Sequence, residues 1–431
     1  MSEDQKPEYD EELVALIREK GTAGLNEWRE RHPGKQINLR GADLWGVDLN
    51  TANLEKARLE FANLERANLQ SAKLKSAVLI MANLVRANLS AVQLQLADLA
   101  GAKLNNSVLQ YADLREAELL ETDLEGANIH RANFNKAKLS KTKLNRTRLL
   151  DANLEGARIN SVDLSEVDLT GVNLNKAIVV RTDMSGAILR DASLRDSHLE
   201  LVILSNADLR ETQIQQAEFR DCEIDESDFS YAVVDGETLF TESCRYDHNT
   251  NFNGVGLGSC RIAPGMRADL EYNVRRQNWE KWYHANWTNW LGSWLWWPFW
   301  MLSDYGRSTG RLLGSFMIFA TLFAILYLIP TPTWFPDWCP TLDIEPFVTN
   351  LDLIEQDAPK EDIHITGWNL GIRSLYFSVV TMTTLGFGDI SANPVSIPGH
   401  ILLMVQVLLG YVMLGALITR LSIMFQGMSH K

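Results

Sequence analysis

The chain has 431 residues, a formal net charge of −14 and 46% hydrophobic residues. That length exceeds a single small domain, and the acidic balance argues against a general nucleic-acid binder. The four cysteines and eight histidines are dispersed, with no zinc spacing and no nucleophile–base pair, so no enzyme, catalytic residue or bound organic cofactor is expected.

Met1 to Asp10 is polar and lacks the apolar stretch of a secretory signal, which predicts that everything ahead of the first apolar run stays cytoplasmic. Glu11 to Lys20 has helical spacing, with Leu13, Leu16 and Ile17 on one face. Residues 1–37 are expected to cap the region that begins at residue 38, with Trp28 nearby.

Residues 38–240 repeat. Every fifth residue from Leu39 to Leu239 is apolar, and from Ala42 to Ala232 the residue two places before each is Ala, Val, Thr, Ser or Cys, as in Ala42-Asp43-Leu44 and Ala62-Asn63-Leu64. A period of five fits neither a helix nor a flat strand. It suits a square coil whose four five-residue sides each turn one small and one large residue inward. The region resembles the pentapeptide-repeat family, which implies a right-handed quadrilateral β-helix. Residues twenty apart then stack at about 4.8 Å, and ten coils make a rod of roughly 50 Å. Charges follow that spacing: Glu116 with Lys136, Glu118 with Lys138, Glu121 with Lys141, Asp123 with Lys143, then Lys143 with Asp163, Arg146 with Glu166 and Arg148 with Asp168. The basic belt Arg131 to Arg148 therefore reads as structural. Cys222 takes a small inward position, and Cys222, Cys244 and Cys260 are expected as reduced cytosolic thiols, with Cys339 alone on the outer side.

Residues 241–268 are expected to close the far end of the rod, chiefly Phe240 to Met266. Asn253 to Gly258 superficially resembles a phosphate loop but has no following Lys and no flanking strand and helix of the right kind. Residues 269–310 link the rod to the apolar C-terminal region, with a helix expected over Asp269 to Trp282. Eight tryptophans fall between Trp279 and Trp300. Two readings of Trp287 to Met301 stand: an interfacial helix on the cytoplasmic leaflet, with Arg275, Arg276 and Lys281 near anionic lipid, or a packed collar.

Residues 311–431 carry two uncharged runs, Leu312 to Ile329 and Ile397 to Ile418, and the first would extend about 27 Å as a helix. Pro330 closes the first run, and Pro394 and Pro398 mark the start of the second. Between them, Trp368 to Thr383 is half apolar and reads as a re-entrant helix. It leads into Thr383-Thr384-Leu385-Gly386-Phe387-Gly388-Asp389. This segment resembles the TVGYGD signature of potassium channels, with Leu385 for Val and Phe387 for Tyr. The resemblance extends over the two-helix pore, roughly Arg311 to Phe425, and implies a homotetramer. It implies permeant potassium held by Thr384, Leu385, Gly386, Phe387 and Gly388, with Thr383 and Asp389 supporting the filter. Val380 stands where some family members carry a carboxyl that bonds the Asp. Gly410 and Gly415 are candidates for a gating bend or for a close helix contact. Arg307, Arg311, Arg420 and Lys431 place both termini in the cytoplasm, and the acidic loop Thr331 to Gly367 outside.

The sequence thus predicts a multidomain β plus membrane-α chain: a pentapeptide-repeat solenoid followed by a two-transmembrane potassium-channel pore, a multi-pass protein expected in a bacterial inner membrane. Its expected partners are the lipid bilayer, further copies of itself and an unidentified cytoplasmic ligand or protein. Two rivals stand beside it, a non-selective cation channel and a membrane-tethered interaction protein.

Overall fold

The computed structural model describes residues 9–285, 309–328, 375–376, 378–383, 403–415 and 417–418. The chain divides into two compact units, Met1–Gln277 and Asn278–Lys431.

The first unit is built from square coils whose parallel bridges join residues twenty apart, from Asn38↔Arg58 through Gln213↔Val233. Most sides close on a β-turn. Ala57 N donates to Leu54 O at 3.0 Å, and Lys56 in the corner has φ +57°. Corner residues at this position are left-handed throughout, 32 of them non-glycine. Each such residue carries about 1–2 kcal/mol of strain. Offsetting it, most sides make three bonds to adjacent coils, such as Leu54 N to Lys73 O at 2.7 Å, Lys56 N to Lys75 O at 2.9 Å and Lys73 N to Ala52 O at 2.8 Å. The inward small and large residues, Ala52 with Leu54 and Ala57 with Leu59, are fully buried.

The small inward residue tunes the corner. With Ala the turn bond is short, 2.9 Å from Ala102 N to Leu99 O, but one coil on, Thr122 N to Leu119 O stretches to 3.4 Å. Beyond that coil, Thr142, Val162, Thr182, Val202 and Cys222 occupy the same column, and the turn bond is absent there. The backbone straightens into short strands, β1 (Lys138–Ser140), β2 (Arg158–Asn160), β3 (Ile178–Val180), β4 (His198–Glu200) and β5 (Glu218–Arg220), stacked in parallel in chain order. β6 (Leu239–Phe240) and β7 (Arg261–Ile262) continue the sheet. Outward asparagines form side-chain ladders, Asn153 Nδ2 to Asn133 Oδ1 at 3.2 Å and Asn173 Nδ2 to Asn153 Oδ1 at 3.0 Å.

The expected five-residue register does not run to Leu239. Glu218 pairs with Leu239, one residue beyond the twenty-residue rule, and Asp228 pairs with Asn251, three beyond it. Leu239 is half-buried, while Thr238 and Phe240 take the small and large inward places. Phe240 stacks on Phe219 at 4.6 Å, and Phe252 stacks on Phe229 at 4.7 Å. Rings fill the widened final coils.

Both ends are covered by helices. α1 (Glu11–Lys20) falls where expected, its N-terminus capped by Asp10, which accepts from Leu13 N at 3.1 Å. α2 (Thr22–Arg31) adds Leu25 and Trp28 to the buried core beside Leu13, Val14 and Ile17. At the far end the covering element is a helix, and not Phe240 to Met266 alone. α3 (Pro264–Ala285) begins five residues before the expected Asp269, with Met266 and Leu270 in the core. Polar side chains on these helices bond the exposed edge carbonyls, which blunts edges that invite further strand pairing. Arg29 reaches Asn53 O at 2.7 Å, Asn273 reaches Asp247 O at 2.8 Å and Gln277 reaches Asn249 O at 3.1 Å.

The stacked charges are partly realised. Lys138 meets Glu118 at 2.5 Å, Lys141 meets Glu121 at 3.2 Å and Lys143 meets Asp123 at 3.5 Å. Arg146 turns instead to Glu125 at 3.7 Å. Glu116–Lys136, Lys143–Asp163 and Arg148–Asp168 make no ion pair among the described residues.

In the second unit, α4 (Thr309–Leu328) packs with two further helical segments, 378–382 and 403–415.

Candidate functional site

Leu312, Ala320 and Phe323 on α4, Met382 on the short segment, and Leu409 and Met413 on the last segment form one buried cluster. The three segments are also tied by polar bonds. Ser378 Oγ donates to Ala320 O at 2.7 Å, and Gln406 Nε2 donates to Ser378 O at 2.9 Å and to Ser378 Oγ at 2.6 Å. Ser378 and Gln406 are both fully buried. A buried amide is costly unless its donors are matched, and here both N–H groups have partners. Neither residue was singled out in the sequence. The available signal was Gln406 interrupting an otherwise apolar run.

The short segment stops at Thr383. Its N–H and its hydroxyl both fold back on Val379 O, each at 2.9 Å. Thr384, Leu385, Gly386, Phe387, Gly388 and Asp389 lie outside the described residues, as do Cys339 and the stretch Trp287–Met301. Val380 is half-buried on the short segment.

Gly410 is buried against the end of that segment: a Cβ at this position would stand 2.1 Å from Met382 O. A Cβ on Gly415 would meet nothing within 4 Å. A cavity of about 180 Å³ opens beside Thr383, lined by Leu312, Phe316, Met382 and Met413 among others.

The outer faces of these helices are apolar. Ile318, Ile325, Met404, Leu408 and Tyr411 are each more than half exposed, Leu408 at 60%. Among the described residues no helix is long and apolar enough to cross a membrane. Both expected spans run into undescribed residues, the first at Ile329 and the second over Ile397 to Leu402, at Ala416 and past Ile418. No group of three metal-ligating side chains occurs among the described residues.

Comparison with known proteins divides the chain in the same way. A family model described as "Ion channel" matches residues 351–427. A model described as "Pentapeptide repeats (8 copies)" matches in overlapping segments from residue 35 to residue 236. The chain therefore combines an ion-channel domain, of the class found in membrane proteins, with an N-terminal pentapeptide-repeat domain.

Among solved structures, the chain is similar to HetL, a pentapeptide repeat protein involved in heterocyst differentiation regulation from the cyanobacterium Nostoc sp. strain PCC 7120. Identity is 27%, over 51% of this chain and 92% of that one, with a TM-score of 0.28. A pentapeptide repeat protein from the Arabidopsis thaliana thylakoid lumen is 33% identical over 23% of this chain and 69% of its own, with a TM-score of 0.23. The repeat protein Rfr23 from the cyanobacterium Cyanothece 51142 is 16% identical over 33% of this chain and 64% of its own, with a TM-score of 0.09. At these TM-scores the fold rests on the twenty-residue register of the coils. No curated protein matches the chain significantly.

Proposed function

We propose that the chain is one subunit of a homotetrameric, potassium-selective channel, with its repeat rod in the cytoplasm. One observation carries this reading most: a short helix that ends at Thr383 is held between two apolar helices through Ser378 and Gln406. A re-entrant helix is tolerated in a bilayer only when protein buries it, and its C-terminal end favours a cation. The residues after it, Thr384 to Gly388, supply backbone carbonyls able to replace the water around a dehydrated ion. The exposed apolar faces at Ile325, Leu408 and Tyr411 suit lipid or neighbouring subunits. In this reading Thr384 to Phe387 coordinate potassium, Asp389 steadies the outer mouth, and Leu312 to Ile329 and Ile397 to Ile418 span a bacterial inner membrane.

The departures at Leu385 and Phe387 favour one second reading, a non-selective cation pore. Reversal potential separates them. Purified protein in a planar bilayer, with potassium on one side and sodium on the other, is expected to reverse near the potassium equilibrium potential. Clear unitary currents reversing near zero assign the non-selective pore. The rod is proposed to set open probability. Deleting Ser2 to Asn251 changes it if so, and unchanged open probability in intact tetramers leaves assembly or localisation as the rod's role.

A further inference from the structure

We propose that Cys222 and Cys244 form a redox-active dithiol that a peroxide converts to a disulfide between adjacent coils at the end of the rod. Three observations place the pair. Glu223 bridges Arg245 in parallel, so Cys222 stacks directly on Cys244, and Arg245 N donates to Cys222 O at 2.9 Å. Neighbouring parallel strands lie about 4.8 Å apart, within the roughly 4.4–6.8 Å Cα separation a disulfide accepts. The two side chains also point the same way, into the interior, with Cys222 fully buried and Cys244 nearly so. Both are free thiols in this structure.

The pair differs from its column. Thr122 and Thr142 stand at equivalent places in earlier coils, and their hydroxyls bond Leu99 O and Leu119 O, at 2.8 and 2.7 Å. The thiols approach the corresponding carbonyls at longer range, Cys222 Sγ to Leu199 O at 3.5 Å and Cys244 Sγ to Phe219 O at 3.3 Å. Packing alone is met by Thr or Val in this column, whereas two consecutive thiols add chemistry.

Their protonation is unequal. A hydrogen bond from Cys222 lowers the Cys244 thiol to about 6 against the opposing effect of burial, and the Cys222 thiol moves up. Cys244, the less buried of the two and 3.6 Å from the Thr241 hydroxyl, is assigned as the nucleophile and Cys222 as the resolving thiol. The Cys244 thiolate attacks one peroxide oxygen, the O–O bond breaks, and the departing hydroxide takes a proton, leaving Cys244 sulfenic acid and water. The Cys222 sulfur then attacks the Cys244 sulfur, loses its proton and releases a second water. Two thiols and hydrogen peroxide give one disulfide and two waters.

The bond falls where the rod has left its twenty-residue rule. Tyr246, which donates to Asp269 at 3.0 Å, and Asp247, whose carbonyl receives Asn273, lie two and three residues beyond Cys244. Oxidation would therefore fix the coil on which α3 sits.

The full chain, folded in detergent, is treated with hydrogen peroxide, alkylated after denaturation and mapped by mass spectrometry. The expected product is a peptide linking Cys222 to Cys244, cleaved by dithiothreitol and retained in a Cys260→Ser variant. Cys222→Ser should instead accumulate a sulfenic acid at Cys244 that dimedone traps, whereas Cys244→Ser should leave Cys222 reduced. Full alkylation of both cysteines after peroxide, or links confined to Cys260 or Cys339, overturns the proposal.

Discussion

The rod and the channel unit hold their shape in opposite ways. In the rod each small-and-large pair touches its own coil and the coils above and below, so stability is a sum of many similar terms. In the channel unit the described contacts converge on a few unlike residues: Ser378, Met382, Gln406 and Gly410. The difference teaches where a single substitution can act. A repeat spreads the damage, while a convergent site concentrates it.

The largest effect is expected at Gly410. A Cβ there meets backbone atoms of Met382 at 2.1 Å and 2.8 Å, and backbone cannot swing aside as a side-chain tip would. Gly410→Leu should cost at or above the upper end of the roughly 1–3 kcal/mol typical of overpacking. On the proposed reading as a tetrameric potassium channel, native mass spectrometry should show loss of the assembled particle, together with loss of potassium flux. An assembled, conducting Gly410→Leu protein would mean that the two segments do not pack against each other at this glycine.

Next comes Ser378. Removing its hydroxyl leaves one donor of Gln406 unmatched in a buried site, worth about 1–3 kcal/mol. Ser378→Ala should lower the melting temperature in detergent, and Ser378→Ala with Gln406→Leu should recover much of the loss. Strict additivity in that double-mutant cycle would show that the two side chains act independently.

Much of the rod was legible because five-residue spacing is a strong, local signal repeated dozens of times. α1 was legible for the same reason, through Leu13 and Ile17 on one face. The end of the repeat was not. The extra residue ahead of Phe240 leaves composition unchanged, and Leu239 kept an apolar residue in phase by accident. The pair Thr238 and Phe240, small then large two residues on, was the available correction. The start of α3 at Pro264, five residues before Asp269, was not legible, because Met266 precedes the polar stretch from Asp269 that carries the helical spacing. In the channel unit, the sequence reads Thr383 to Asp389 as a filter between apolar flanks, and the motif beyond Thr383 lies outside the described residues. The bond between Ser378 and Gln406 was not, since the partners are 28 residues apart and each is unremarkable alone.

Asp10 tests the rod at its first cap, where no second coil shares the load. Its carboxylate caps α1 and meets Lys35 Nζ at 2.7 Å. Burial pushes its pKa up, but Lys35 and the Leu13 N–H outweigh this and hold it below the ordinary value of 3.8. A lowered folded-state pKa contributes stability that is present above the unfolded value and is lost as pH falls through the folded one. Asp10→Ala is thus expected to cost about 1 kcal/mol at neutral pH, the usual worth of an N-cap. The difference from the parent should shrink below pH 3.8, as read by thermal melts followed by circular dichroism. A difference that stays constant into acid would assign the effect to packing and not to charge.

The smallest effect is expected where the rod looks most heavily bonded. Lys138 and Glu118 sit 2.5 Å apart on neighbouring coils, but their side chains are 52% and 49% exposed. Exposed pairs are screened and contribute roughly 0–1 kcal/mol. Lys138→Ala should therefore change the rod's melting temperature little, and the difference should vanish in about 1 M salt, where the screening length falls to about 3 Å. The flanking pairs Lys141–Glu121 and Lys143–Asp123 lie on the same stack of coils and are likewise solvent-facing on the lysine side. Replacing all three lysines separates two accounts of the charge ladder. If the losses simply add and remain small, the ladder mainly avoids like-charge stacking between coils. If the triple loss clearly exceeds the sum, the pairs act as a network, and the rod carries a cooperative element of the kind expected around Ser378.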